Sequence, residues 1–185
     1  MPNWVANKLV VTGPEDDLRT FRLKAEGPNP VGKRVPLTYH AFIPYPEEYA
    51  RIDRLFYEWE QLTGNRWAGI GSPEFQEFAR KRGFDPAPER DGFNSGGYEW
   101  RIENWGTKWD ATNPEVAETE EGLVYRFLSP WSPPEPVILA MSSQHPSLLF
   151  RLEFEEETCA FAGEATLQGG KVLEFVERGC EEEEV

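Results

Sequence analysis

The chain of 185 residues holds two cysteines, Cys159 and Cys180, and two histidines, His40 and His145. Two thiols are too few for a disulfide framework, and a Cys/His zinc site would need all four residues although no two stand at zinc-ligand spacing. The expectation is no metal and no cofactor, with both thiols reduced. No apolar run approaches the roughly 18 residues that span a bilayer, and Met1-Pro2-Asn3-Trp4 lacks a basic segment followed by an apolar one. A cytoplasmic protein that makes no use of a membrane is therefore expected. No phosphate loop, HExxH, GxSxG or calcium loop occurs, and Gly69-Ile70-Gly71 lacks the rest of a dinucleotide fingerprint.

Aromatic residues, by contrast, are plentiful. Seven Trp, twelve Phe and six Tyr within a 39% hydrophobic composition are too much apolar surface for a disordered chain. The formal charge of -14 is unevenly placed: residues 1–90 balance 13 basic against 13 acidic side chains, and residues 91–185 hold 6 against 20. Four of those acids, Glu181 to Glu184, read as a disordered tail at 181–185. The rest of the second half is still acidic, which disfavours a phosphate backbone as partner and favours a basic surface. Arg80-Lys81-Arg82 and Lys33-Arg34 are the basic clusters, and no aromatic run of the RNA-binding type lies on a basic strand. This reading disfavours nucleic acid as a partner.

Along the chain, Val5 to Thr12 is β-branched and apolar and predicts a strand closed by Gly13-Pro14. Pro14 with Glu15, Asp16 and Asp17 opens a helix that runs to Gly27. Leu37 to Ile43 alternates and predicts a second strand. Pro46-Glu47-Glu48 and Ser72-Pro73-Glu74 then open two amphipathic helices, an inserted hairpin at 46–97 with a Gly/Pro-rich return. Tyr98, Trp100 and Ile102 alternate with Glu99, Arg101 and Glu103, the two-residue period of a strand. Residues 113–122 read as an acidic turn, Leu123 to Leu128 as a strand, and Ser132 with Glu135 as the capping box of a helix ended by His145-Pro146. Leu148 to Glu155 is the cleanest strand. Two more, about Cys159–Leu167 and Lys171–Glu177, are joined by Gly169-Gly170. Without the insertion the order is βαββαβ, an α+β ferredoxin-like sandwich as a single domain over 1–185, with an extra C-terminal β-hairpin.

Candidate chemistry concentrates where the 98–103 alternation breaks. Asn104-Trp105-Gly106-Thr107-Lys108-Trp109-Asp110 places polar groups between large aromatics behind a glycine, and Trp131-Ser132-Pro133-Pro134 repeats the theme. Lys108, Asp110 and Asn104 have the makings of an acid/base set; the plainer reading is a surface pair beside core tryptophans. Trp105, Trp109 and Trp131 suit an aromatic platform, with core packing as the competing reading.

Several of these segments, with others, resemble the YubB ferredoxin-like family, small proteins of bacterial plasmids and phages without an established function. They are Met1-Pro2-Asn3-Trp4 with Asn7 and Gly13-Pro14, Ile43-Pro44-Tyr45-Pro46-Glu47-Glu48, Asn104 through Ala111, Trp131-Ser132-Pro133-Pro134, and Phe161-Ala162-Gly163. Val5 stands where the family pattern has a cysteine. The resemblance implies the fold and a mobile-element origin, hence the cytoplasm of a bacterial host, and brings no catalytic residues. Together these readings predict a non-enzymatic binding module for a host protein with a basic surface, an acidic DNA mimic or anti-defence protein being one version. The alternative is a small enzyme or small-ligand binder with a pocket around Asn104, Lys108 and Asp110.

Overall fold

The structure is a computed structural model that describes residues 3–158 and 160–179. Both cysteines and the acidic tail lie outside the described residues. The chain forms two compact units, one of residues 1–29, 34–44 and 101–185 and the other of residues 30–33 and 45–100.

The first unit is built on β1 (Trp4–Thr12), which pairs antiparallel with β5 (Gly122–Pro130) on one side and β6 (Leu149–Glu156) on the other. With β4 (Thr112–Thr119), β7 (Ala162–Gln168) and β8 (Lys171–Arg178), the sheet has the order β4-β5-β1-β6-β7-β8. Helices α1 (Glu15–Ala25) and α5 (Glu135–Gln144) complete βαββαβ from β1, α1, β4, β5, α5 and β6. This is the expected α+β ferredoxin-like sandwich, and β7 and β8 are the extra hairpin. A two-residue ribbon, β2 (Gly27–Pro28) against β3 (Arg34–Val35), follows α1.

One face of the sheet is packed and the other is wet, as strand alternation requires. Leu9, Tyr125, Phe150 and Leu152 are buried on the helix side. Phe21 of α1 lies among them, its ring 5.9 Å from Tyr125 and 5.4 Å from Phe150. On the opposite face Lys8, Arg126, Glu153, Glu155 and Glu164 line an open groove of about 600 Å³.

Three local assignments differ from the sequence reading. Leu37–Ile43 is not a strand: Leu37, Thr38 and Tyr39 are all fully buried and the chain turns as a 3₁₀ helix at Tyr39–Ala41. Side chains supply the bonds there, since Thr38 Oγ1 accepts from His40 N at 3.2 Å and Asp110 takes the Tyr39 N–H. Residues 98–103 lie in α4 (Gly97–Trp105). Arg101 and Trp105, four apart, are buried while Ile102 is exposed, so helical spacing rather than alternation sets the inward face. The acidic stretch at 113–122 is largely the edge strand β4, hidden from pattern reading because most of its residues are exposed.

The second unit holds α2 (Glu47–Thr63) and α3 (Pro73–Arg80) around Leu55, Phe56, Phe75 and Ala79. Gly64, left-handed at φ 72°, ends α2, and Ser72 caps α3 by accepting from Phe75 N at 3.2 Å. Two buried carboxylates are fully engaged: Asp91 pairs with Arg66 at 2.8 Å, and Asp53 accepts from Phe93 N at 2.9 Å and Tyr45 OH at 3.1 Å.

Candidate functional site

The loop after α4 and the turn after β5 meet in the first unit, and hydrogen bonds lock them together. Ser132 Oγ donates to Gly106 O at 2.7 Å and Thr107 Oγ1 donates to Pro130 O at 3.0 Å. Ser132 therefore joins two loops and does not cap α5, whose N-cap, Pro134, makes no side-chain bond. Behind them, Ser129 Oγ donates to Ser132 O at 2.7 Å and receives Asn7 Nδ2 at 2.8 Å. Only glycine suits position 106: its φ is 80°, and a Cβ there would stand 2.5 Å from Pro136 Cδ.

From this frame the candidate residues divide. Trp105 is wholly buried, with Nε1 donating to Ile43 O at 3.0 Å and the Tyr39 ring edge-on at 5.8 Å. Thr107 is buried as well. Asp110 turns inward and accepts from Thr38 Oγ1 at 2.6 Å, Tyr39 N at 2.7 Å and Ala111 N at 2.8 Å. Burial pushes this carboxyl above its ordinary range, although those hydrogen bonds and the charge of Arg101 pull the other way. Asn104 is half-buried in the last turn of α4.

Lys108, Trp109 and Trp131 form the outward part. Lys108 Nζ lies 3.7 Å from the centre of the Trp131 ring and 4.5 Å from that of Trp109, a cation held between two indoles. Desolvation pulls the Lys108 ammonium below its ordinary pKa. Trp131 is 49% exposed and its φ is 71°, a left-handed conformation that bulky residues avoid. Its backbone N–H donates to Asn3 O at 2.9 Å, which ties the strained turn to the start of β1. Trp4 adds a third indole, 5.6 Å from Trp109. The sequence places Trp4 in the Met1-Pro2-Asn3-Trp4 motif and gives no sign of this contact beyond its position at the head of the central strand.

Lys108 does not line the open groove on the wet face of the sheet. Among the described residues no group of three or more His, Cys, Asp or Glu is placed to hold a metal ion, and no helix is long and apolar enough to cross a membrane. The arrangement offers planar aromatic surface around the Lys108 ammonium, the elements of a contact surface.

The fold and this surface define an α+β ferredoxin-like protein with an exposed tryptophan–lysine patch. Residues 104–185, which carry the whole patch except Trp4, match the family described as the ferredoxin-like domain in Api92-like protein. The crystal structure of a protein api92 from Yersinia pseudotuberculosis is similar over 97% of this chain and 99% of that one, with a TM-score of 0.57 at 12% identity, a likeness of fold alone. No curated protein matches the chain.

Proposed function

We propose that this protein is a non-enzymatic binding module that engages a protein partner through Trp131, Lys108 and Trp109, with Trp4 at the margin. The observation that carries the reading is Trp131: a large indole held half in solvent, in a backbone conformation that costs stability, with a lysine on its face. Packing alone gives no reason to keep a tryptophan there, whereas a recognition surface does, because tryptophan is among the residues that dominate binding energy when a partner covers them. The same geometry speaks against a small-ligand site at Asn104, Lys108 and Asp110, since Asp110 is committed to three inward hydrogen bonds.

The finer reading is that the partner is a host protein with a basic surface and that the gene belongs to a phage or plasmid. Its supports are the net charge of -14 and the motif resemblance to the YubB family. The test is affinity capture from a bacterial lysate with the wild type and with a Trp131→Ala, Lys108→Ala variant, both checked for equal thermal stability. A defined protein retained by the first and released by the second is the expected outcome. Equal retention by both would remove this patch as the contact surface, and retention by neither would overturn the partner reading.

A further inference from the structure

The two edges of the sheet are treated differently. β4 is guarded: Pro114 removes a backbone donor, the register shifts between Thr112 and Glu115, and the exposed side chains include Glu115 and Glu118, the latter paired with Arg22. β8 has no proline, and all eight of its residues are exposed, with Val172 at 52%, Leu173 at 58%, Phe175 at 45% and Val176 at 42%. Its own irregularity, opposite Thr166 and Leu167, leaves Glu174 to Arg178 in regular pairing with β7.

Beside that edge, on the helix side, an apolar groove of about 240 Å³ runs between α5 and β8, lined by Ile138, Leu139, Leu167, Val172 and Phe175 with Glu135 at its rim. Register puts Phe175 and Glu177 on this side, opposite Ala165 and Gly163. The Glu135 carboxyl is pushed up from its ordinary value first by burial and then by the charge of Glu177. Neither side chain forms a hydrogen bond or ion pair among the described residues.

We infer that β8 is a docking edge for an extended basic segment of a partner protein, which adds to the sheet along Glu174–Arg178. The partner strand places an apolar side chain beside Phe175 in the groove and a lysine or arginine beside Glu177 and Glu135. Backbone pairing supplies affinity, and the alternation of apolar and basic residues supplies selectivity. The charge decides the occupant: two uncompensated carboxylates at the mouth of an apolar groove on an acidic protein call for a cation. This site is separate from the Trp131 patch and stands whether or not that patch binds a partner.

The probe is an end-blocked, fluorescent eight-residue peptide that alternates threonine with valine and lysine in turn, followed by anisotropy on the full chain. Saturable binding is expected, weakened about two- to fivefold by Glu135→Gln with Glu177→Gln, the range of an exposed ion pair. It should be abolished when alternate backbone nitrogens of the peptide are methylated, which keeps its charge and removes edge pairing. Binding is also expected to fall when glutamate replaces lysine in the peptide. Absence of binding at millimolar peptide, or equal binding of the methylated form, would overturn the proposal. So would a homodimer in sedimentation equilibrium that Val176→Lys dissociates, because the edge would then be taken by a second copy.

Discussion

Within the seven residues from Asn104 to Asp110, side chains of one composition serve two opposed ends. Trp105, Thr107 and Asp110 point in and bind the loop to the core; Lys108 and Trp109 point out, and the Lys108 ammonium lies against the rings of both Trp109 and Trp131. The difference shows that an aromatic–polar motif is not a site as a whole. Its inward half sets the position of its outward half, and only the latter is free to meet a partner. The division can be broken by substitution, and the largest effect belongs inside. Trp105→Ala empties a fully buried indole site and orphans the Ile43 carbonyl, so a loss of about 3–5 kcal/mol in urea unfolding is expected.

Asp110 is next. Asp110→Ala strips the acceptor from Thr38 Oγ1, Tyr39 N and Ala111 N and should cost about 2–4 kcal/mol. Asp110→Asn keeps an oxygen for the two backbone donors and should lie within about 1 kcal/mol of the wild type. The pair also has a pH signature. Because the folded pKa of Asp110 is raised, the native state holds this proton more tightly than the unfolded chain does. The wild type therefore gains stability relative to Asp110→Asn as pH falls from 7 through the raised pKa toward the ordinary carboxylate value. A gap that stayed constant between pH 7 and 4 would mean that the inward carboxylate is not destabilised by its burial.

Gly106 is the hinge between the two halves. Gly106→Ala adds a left-handed penalty and a Cβ against Pro136 Cδ, with an expected cost of about 2 kcal/mol. Since Pro136 cannot yield without moving α5, the same change should disturb the Lys108–Trp131 contact. A fall in partner capture beyond what the stability loss explains would show that the frame positions the patch.

The fold was legible in the sequence where burial on one face leaves a clean period, as in β1, β6, α2 and α3. The two tryptophan-bearing segments were also legible as loops, because Gly106 and the prolines after Trp131 mark breaks in regular structure, whereas the bonds that join them, Ser132 Oγ to Gly106 O and Thr107 Oγ1 to Pro130 O, are visible only in the structure. What was hidden has physical causes. β4 has no fully buried residue, and its half-buried positions, Thr112, Pro114 and Val116, make no apolar alternation to read. Residues 98–103 alternate by coincidence, and their inward face is set by Arg101 and Trp105, one of which is charged. The turn at Tyr39–Ala41 exists because Asp110, 71 residues away from Tyr39, supplies a carboxylate to its backbone, a contact that no local pattern encodes. Within the candidate site, residue types could be named in advance, but the inward or outward direction of each depends on these distant partners.

The smallest effect, and the one that separates the halves most sharply, belongs to Trp131. Substitution by alanine removes the indole but keeps a Cβ at φ 71°; substitution by glycine removes both. The left-handed conformation costs a non-glycine residue about 1–2 kcal/mol, while glycine returns roughly 0.4–1 kcal/mol of that through the greater freedom of the unfolded chain. The lost cation–π contact with Lys108 is common to both variants and worth about 0.5–1 kcal/mol at an exposed site. Trp131→Gly should thus stay within about 1 kcal/mol of the wild type and exceed Trp131→Ala by up to about 1 kcal/mol, measured side by side in urea. Both should lose the partner equally. An alanine variant as stable as the glycine variant would mean that the turn stores no strain at this position, and the exposed tryptophan would then need no recognition role to account for it.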